Sequence, residues 1–172
     1  GIDATLGRDS VSTVVTFVPA RLSLPADARV LAHVRDSCLR AGRRIPETFL
    51  RAILERAGIP AALHNARLGD CPPSLHRKFA ITLAGLRNVP ALLIDEPTRD
   101  LADADRESLI ATIRVLRKRG AAILLATRDL AFAHRLATRV VVLDRGTTVE
   151  TYDPNASRRA HHESSYLAVL VG

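Results

Sequence analysis

Aromatic side chains are scarce, at 3% of the chain. A core built from this sequence is therefore aliphatic, filled by Leu, Val, Ile and Ala; the total hydrophobic content of 47% is ordinary for a soluble globular protein. No apolar run approaches the roughly 20 residues of a membrane-spanning helix. The start, Gly1-Ile2-Asp3-Ala4, lacks a basic-then-apolar pattern, so no signal peptide is expected. A first residue of Gly rather than Met suggests a trimmed chain or a fragment. Cys38 and Cys71 are too few and too far apart for a metal motif or a disulfide framework, and they read as reduced cytosolic thiols. Lysine occurs only at Lys78 and Lys118. There is no internal repeat and no low-complexity stretch.

What is present is arginine. The formal net charge is +7, which suits an anionic partner such as nucleotide, nucleic acid or lipid headgroups. The Arg residues are spread along the chain, with short clusters at Arg43-Arg44, Arg117-Lys118-Arg119 and Arg158-Arg159. Scattered Arg on amphipathic helices is the ordinary solvated face. At 172 residues the chain is long enough for one domain that buries about two-thirds of its unfolded surface.

In chain order, Val11 to Val18 reads as a strand stopped by Pro19. Asp27 is placed to cap a helix running to about Arg40, with Val30, Leu31, Val34 and Leu39 as its apolar stripe. Pro46 sits at a first helical position, with Phe49, Leu50, Ile53 and Leu54 facing inward. Ser74 is placed as the N-cap of a helix from Leu75 to Arg87. A charged amphipathic helix follows from Ala104 to Arg119, turning Leu109, Ile110, Ile113 and Leu116 inward and stopped by Gly120. Ala121 to Ala126 reads as a wholly apolar strand, and Asp129 starts a helix to about Ala137. Val140–Leu143 and Thr147–Glu150 form a hairpin about Asp144-Arg145-Gly146. The polar tail from Asp153 ends in Tyr166-Leu167-Ala168-Val169-Leu170, which either packs back or binds a partner.

The organising stretch is Val89-Pro90-Ala91-Leu92-Leu93-Ile94-Asp95-Glu96-Pro97-Thr98. Consecutive apolar residues predict a strand covered on both faces, as inside a parallel sheet. Two carboxylates then stand at its carboxyl end, where open α/β sheets place their ligands. Neighbouring carboxylates there suit a hard cation and an attacking water, although an acidic turn after a buried strand has the same sequence. The alternation of strands and helices from Pro90 onward predicts a parallel α/β sheet with an antiparallel edge hairpin, and residues 27–88 a helical insertion.

These segments resemble the ATP-binding cassette (ABC) ATPases, the nucleotide-binding subunits of ABC transporters. Leu92-Leu93-Ile94-Asp95-Glu96-Pro97-Thr98 resembles the Walker B strand. Ala122 to Leu130 is similar to the strand and switch loop that follow, and Leu136 to Gly146 to the closing helix and hairpin. Phe17-Val18-Pro19 resembles the strand before the Q-loop. The resemblance implies a mostly parallel P-loop-NTPase-like sheet with a helical subdomain and an edge hairpin, with the N-terminal part of the fold missing. The organisation expected is an N-terminal strand and Q-loop-like segment over 1–26, a helical subdomain over 27–88, an α/β core over 89–152 and a tail over 153–172. It also implies ATP and Mg²⁺ as cofactors. Asp95 would support the metal and Glu96 would polarise the attacking water. The partners implied are a membrane-spanning transporter subunit and a second nucleotide-binding domain, identical or not, at the inner face of the membrane; nucleic acid is not expected.

The sequence departs from the family pattern at several motifs. No Gly-x-x-x-x-Gly-Lys-Ser/Thr occurs, and by register Gly1-Ile2 falls just after that loop and its helix. Either the chain begins late or the protein never had the loop. The Q-loop glutamine position is Ala20. The signature Leu-Ser-Gly-Gly-Gln falls on Cys71-Pro72-Pro73-Ser74-Leu75, and proline has no N–H to offer a phosphate. Ser74 remains as a hydroxyl that could reach a nucleotide, or as a plain helix cap. The D-loop aspartate falls on Ala102, and Lys78 takes the place of the family's usual basic residue. The switch histidine falls on Arg128, which is permanently charged and longer; it could clamp a phosphate or form an ion pair with Glu96. Phosphoryl transfer needs several positioned groups together, so the chain by itself is expected neither to bind ATP tightly nor to hydrolyse it. The alternatives are a non-transport regulatory, anion-binding or nucleic-acid-binding module on an ABC-like fold, and a piece of an active ATPase whose phosphate loop lies upstream.

Overall fold

A computed structural model describes residues 14–156 and the backbone of 166–171. The chain divides into two compact units, one built on a sheet (1–20, 89–98 and 113–172) and one helical (21–88 and 99–112).

The sheet unit holds β1 (Val15–Val18), β2 (Ala91–Asp95), β3 (Ala122–Thr127), β4 (Arg139–Asp144), β5 (Thr147–Tyr152) and β6 (Tyr166–Val171). Their order across the sheet is β1-β2-β3-β6-β4-β5. β1, β2 and β3 run parallel, with Phe17 opposite Leu93 and Leu93 opposite Leu124. β5 pairs antiparallel with β4 at the edge, through a turn whose Arg145 and Gly146 have φ of 47° and 80°. Positive φ at both central residues is the hairpin geometry that matches strand twist, and Gly146 adopts it without steric penalty.

The C-terminal segment packs back. β6 lies antiparallel between β3 and β4, pairing Leu125 with Val169 on one side and Val140 with Val169 on the other. β3 and β4 are thereby parallel to one another but one strand apart. Val11 to Thr13, the first part of the expected first strand, lie outside the described residues, as do Arg158, Arg159, His161 and His162. Val14 is in a turn, so the described strand starts at Val15.

The two-sided burial expected for β2 is corrected, and the wholly apolar β3 shows the same pattern. Leu92 and Ile94 are buried while Ala91, Leu93 and Asp95 are half-buried, and on β3 Ile123 and Leu125 are buried while Leu124 is exposed. Phe17, Leu93 and Leu124 lie opposite one another in register and so share the more open face. An unbroken apolar run records strand propensity but does not report how fully each face is covered.

The helical unit holds α1 (Val30–Arg40), α2 (Glu47–Arg56), two short 3₁₀ turns (Ala61–Leu63 and Leu68–Asp70) and α3 (Pro73–Leu86). Its core is Val30, Leu31, Val34 and Cys38 of α1, Leu50 and Leu54 of α2, and Ile59, Leu68, Leu75 and Phe79. Each such side chain fully buried contributes about 1.5–3 kcal/mol. Two expected inward residues and three expected helix-start positions are corrected. Leu39 is 48% exposed and Phe49 64% exposed, because the phase of each helix turns the neighbouring Cys38 and Leu50 into the core. Asp27 is not a cap: it lies in a turn two residues before Arg29, which holds that position, and its carboxylate is 3.7 Å from Arg67. Pro46 and Pro72, not Pro46 at the first helical position and Ser74 at the cap, precede α2 and α3; proline's fixed φ and absent N–H suit a helix start.

α4 (Asp103–Lys118) carries Leu109, Ile110, Ile113 and Leu116 as its buried stripe, and Gly120, at φ 89°, ends it. α5 (Leu130–Leu136) is capped by Asp129, whose carboxylate accepts from the Phe132 N–H at 2.9 Å.

Candidate functional site

β2 delivers Asp95 as its last residue and Glu96 as the first residue beyond it, both half-buried. Glu96 has φ 45°, a left-handed conformation uncommon for a residue with a side chain. The backbone is fixed there by the Glu96 N–H donating to the Ala126 carbonyl at 2.8 Å, which extends the β2–β3 ladder by one residue. A strained residue at the carboxyl end of a central strand is a place where folds position chemistry.

β3 ends one residue before Arg128. Thr127 is fully buried, and its hydroxyl accepts from the Asp129 N–H at 3.1 Å, which fixes the path of the loop. The Arg128 Nε then lies 3.4 Å from Glu96 Oε1. The Glu96 side chain is 14% exposed and that of Arg128 67% exposed. The structure thus brings Glu96 and Arg128 together as an ion pair, one of the two arrangements open to Arg128. A guanidinium beside the carboxylate competes with any water or cation for that oxygen.

Asp95 is a single carboxylate at the strand end. Among the described residues no three His, Cys, Asp or Glu side chains gather as a metal cage. Mg²⁺ is commonly held by one or two carboxylates together with substrate phosphates, so this donor set does not make a metal site on its own.

Ser74 lies in the first turn of α3, half-buried, and makes no capping hydrogen bond. Lys78, one turn on, is buried in the helical unit, where its ammonium donates to the Asp105 carboxylate and lies 3.4 Å from the Gly58 carbonyl. Gly58 sits at φ 78°, a conformation that favours glycine, and a Cβ there would meet Lys78 Nζ at 2.9 Å, so the ammonium would have to shift. Cys38 and Cys71 are free and buried; burial pushes both thiols up, with Asp70 adding to the effect at Cys71. Neither is poised as a nucleophile.

One grouping escaped the sequence reading. Arg114, Arg117, His134 and Arg135 line a common cleft in the sheet unit. Their signal in the sequence is weak: an i, i+3 pair on one helix and an adjacent pair on another, 17 positions apart at the closest.

No family model matches the chain. Among curated proteins it is 34% identical over 132 residues to the zinc import ATP-binding protein ZnuC of Magnetococcus marinus, covering 76% of this chain and 49% of that protein. It is 28% identical over 151 residues to the Nod factor export ATP-binding protein I of Rhizobium johnstonii, covering 88% of this chain and 48% of that protein. Among solved structures it is similar to a bacterial ABC transporter cassette solved as a dimer, with 18% identity, a TM-score of 0.76, and coverage of 87% of this chain and 68% of that one. The chain spans about half the length of the curated relatives it matches. It is homologous to the ATP-binding proteins of ABC transporters and carries part of the ABC ATPase cassette fold.

Proposed function

We propose that the chain is a degenerate nucleotide-binding domain of the ABC transporter type. It works at the inner face of a membrane, paired with a second nucleotide-binding domain and a membrane-spanning subunit, and contributes structure rather than hydrolysis. The observation that carries this reading is the Glu96–Arg128 ion pair at 3.4 Å. In the family mechanism a Glu after the strand polarises water, and a His in the switch loop contacts the γ-phosphate. Here the carboxylate that would take the first role is engaged by the residue that stands in place of the second. The replacements Ala20 and Cys71-Pro72-Pro73 act in the same direction, since each removes donors or acceptors that would face a nucleotide. Charge-assisted hydrogen bonds are worth roughly 1.5–3 kcal/mol apiece, so several such losses weaken ATP binding by orders of magnitude. If any Mg²⁺ enters with a nucleotide, Asp95 is the residue that would hold it.

The test is phosphate release from Mg-ATP by the purified protein. Background turnover is expected, equal in the parent and in Glu96→Gln. Turnover that disappears in Glu96→Gln would sink the degenerate reading and restore an active ATPase. The transporter assignment is checked separately, by co-purification with a membrane subunit.

A further inference from the structure

We propose that the cleft between the last turns of α4 and helix α5 is a binding site for a phosphate-bearing anion. It has a volume of about 690 Å³ and is lined chiefly by Arg114, Arg117, His134, Arg135, Thr138 and Asn155. None of these belongs to the group formed by Asp95, Glu96 and Arg128, and the assignment does not depend on how Glu96 is read. The volume falls in the range of small-molecule sites and exceeds what one inorganic phosphate fills.

The charge argument is direct. Three guanidinium groups and an imidazole face one space, and among the described residues no Asp or Glu lines it. Arg114 and Arg117 stand one turn apart on α4, where like charges repel unless a counter-charge lies between them. Among the described residues neither pairs with a carboxylate. The helix dipoles favour Arg117, His134 and Arg135 near the carboxyl ends of their own helices. The dipoles do not account for their convergence on a single cleft, nor for Arg114, which lies a turn earlier.

The walls are also held in place. Arg114 Nη2 donates to the Arg135 carbonyl at 3.1 Å, which ties α4 to α5 and leaves the remaining N–H groups of the fork for a ligand. His134 Nε2 lies 2.7 Å from the Tyr152 hydroxyl, with the two rings edge to face at 5.7 Å. Thr138 and Asn155 add neutral polar residues to the lining. Preformed guanidinium forks of this kind recognise phosphate oxygens bidentately, and lysine does so less well.

The same phosphate chemistry is offered by soluble oligophosphates and by anionic lipid headgroups, and two arms separate them. The first is calorimetric titration with tripolyphosphate at physiological salt. The second is co-flotation with phosphatidylcholine vesicles with and without phosphatidylglycerol. Binding to one of the probes is expected, and its identity names the source. The double variant Arg114→Gln/Arg117→Gln is expected to weaken that binding about tenfold or more. Arg21→Gln, an equal loss of charge on an exposed residue of the helical unit, is expected to change it by less than about twofold. Thermal melts of each variant report whether it folds. Should the glutamine pair not fold, the pair Arg114→Lys/Arg117→Lys keeps the charge but loses the fork and is expected to show a smaller, measurable loss. Binding of neither probe, or an equal loss in the Arg21 variant, would overturn the proposal.

Discussion

Lys78 is a buried basic residue inside the helical unit, paired with Asp105. Its side chain is 10% exposed and its partner Asp105 27% exposed. A buried pair broken by removing one partner leaves the other charge uncompensated, at a cost of about 3–5 kcal/mol; the part exposure of Asp105 puts this case toward about 2–3 kcal/mol. Lys78→Met is therefore expected to lower the urea midpoint, while the double change Lys78→Met/Asp105→Leu recovers much of the loss. Two equal midpoints would show that the pair contributes nothing. His33 adds a pH dependence. Burial lowers its pKa below the ordinary 6.5, Arg40 lowers it further, and Asp36 opposes them. The folded state thus disfavours the imidazolium. Above about pH 6.5 both states are neutral at this residue and stability is undiminished. As the pH falls through 6.5 toward the lowered folded value, the unfolded chain takes up the proton first and stability drops. Urea unfolding at pH 7 and pH 5 is expected to show a smaller drop in His33→Gln than in the parent chain.

At the scale of elements, β6 is the last strand in sequence and an interior strand in space. It supplies both ladders that join β3 to β4. Without it the sheet would present two unpaired edges in its middle, which is an aggregation hazard as well as a loss of hydrogen bonds. Each backbone hydrogen bond contributes a net of about 0.5–1.5 kcal/mol, so two five-residue ladders are worth several kcal/mol together. Truncation after Asp153 is expected to lose the cooperative melt followed by circular dichroism; an unchanged melt would show that β6 is dispensable.

The elements also show what was legible. The Leu109, Ile110, Ile113 and Leu116 stripe, the Asp129 cap and the Arg145-Gly146 turn follow from spacing and local backbone chemistry, which a sequence carries directly. Leu39 and Phe49 did not, because each neighbours another apolar residue and a helix phase off by one position selects the wrong one. The place of β6 could not be read at all: a period of two says that a segment is a strand, and nothing about which strands it will join. The candidate site was half legible. Asp95 and Glu96 stand out at a strand end, but the choice of Arg128 between a phosphate and Glu96 depends on a loop geometry set by Thr127 and Asp129. The basic cleft depends on how two helices meet, and periodicity within either helix does not encode that.

For the whole molecule the dominant electrostatic fact is the excess of positive charge, +7 over 172 residues. Its exposed ion pairs, such as Arg51–Glu47 at 2.7 Å and Arg106–Asp103 at 3.5 Å, are worth little individually, about 0–1 kcal/mol. Like-charge repulsion in the compact state is the longer-ranged term, and it falls as the screening length shortens from about 30 Å at 0.01 M to about 8 Å at 0.15 M ionic strength. The two effects oppose one another on adding salt: screening weakens the local attractions and relieves the net repulsion. With a surplus of seven positive charges the repulsion wins. The melting temperature is expected to rise between 0.01 M and 0.15 M sodium chloride, and a rise of about 2–4 °C would correspond to about 1 kcal/mol for a chain of this size. A fall over the same interval would mean that paired charges, not the surplus, govern stability. Repeating the measurement with sodium phosphate at matched ionic strength separates general screening from occupation of the Arg114–Arg117 cleft, because an anion bound there stabilises the folded state beyond what chloride achieves.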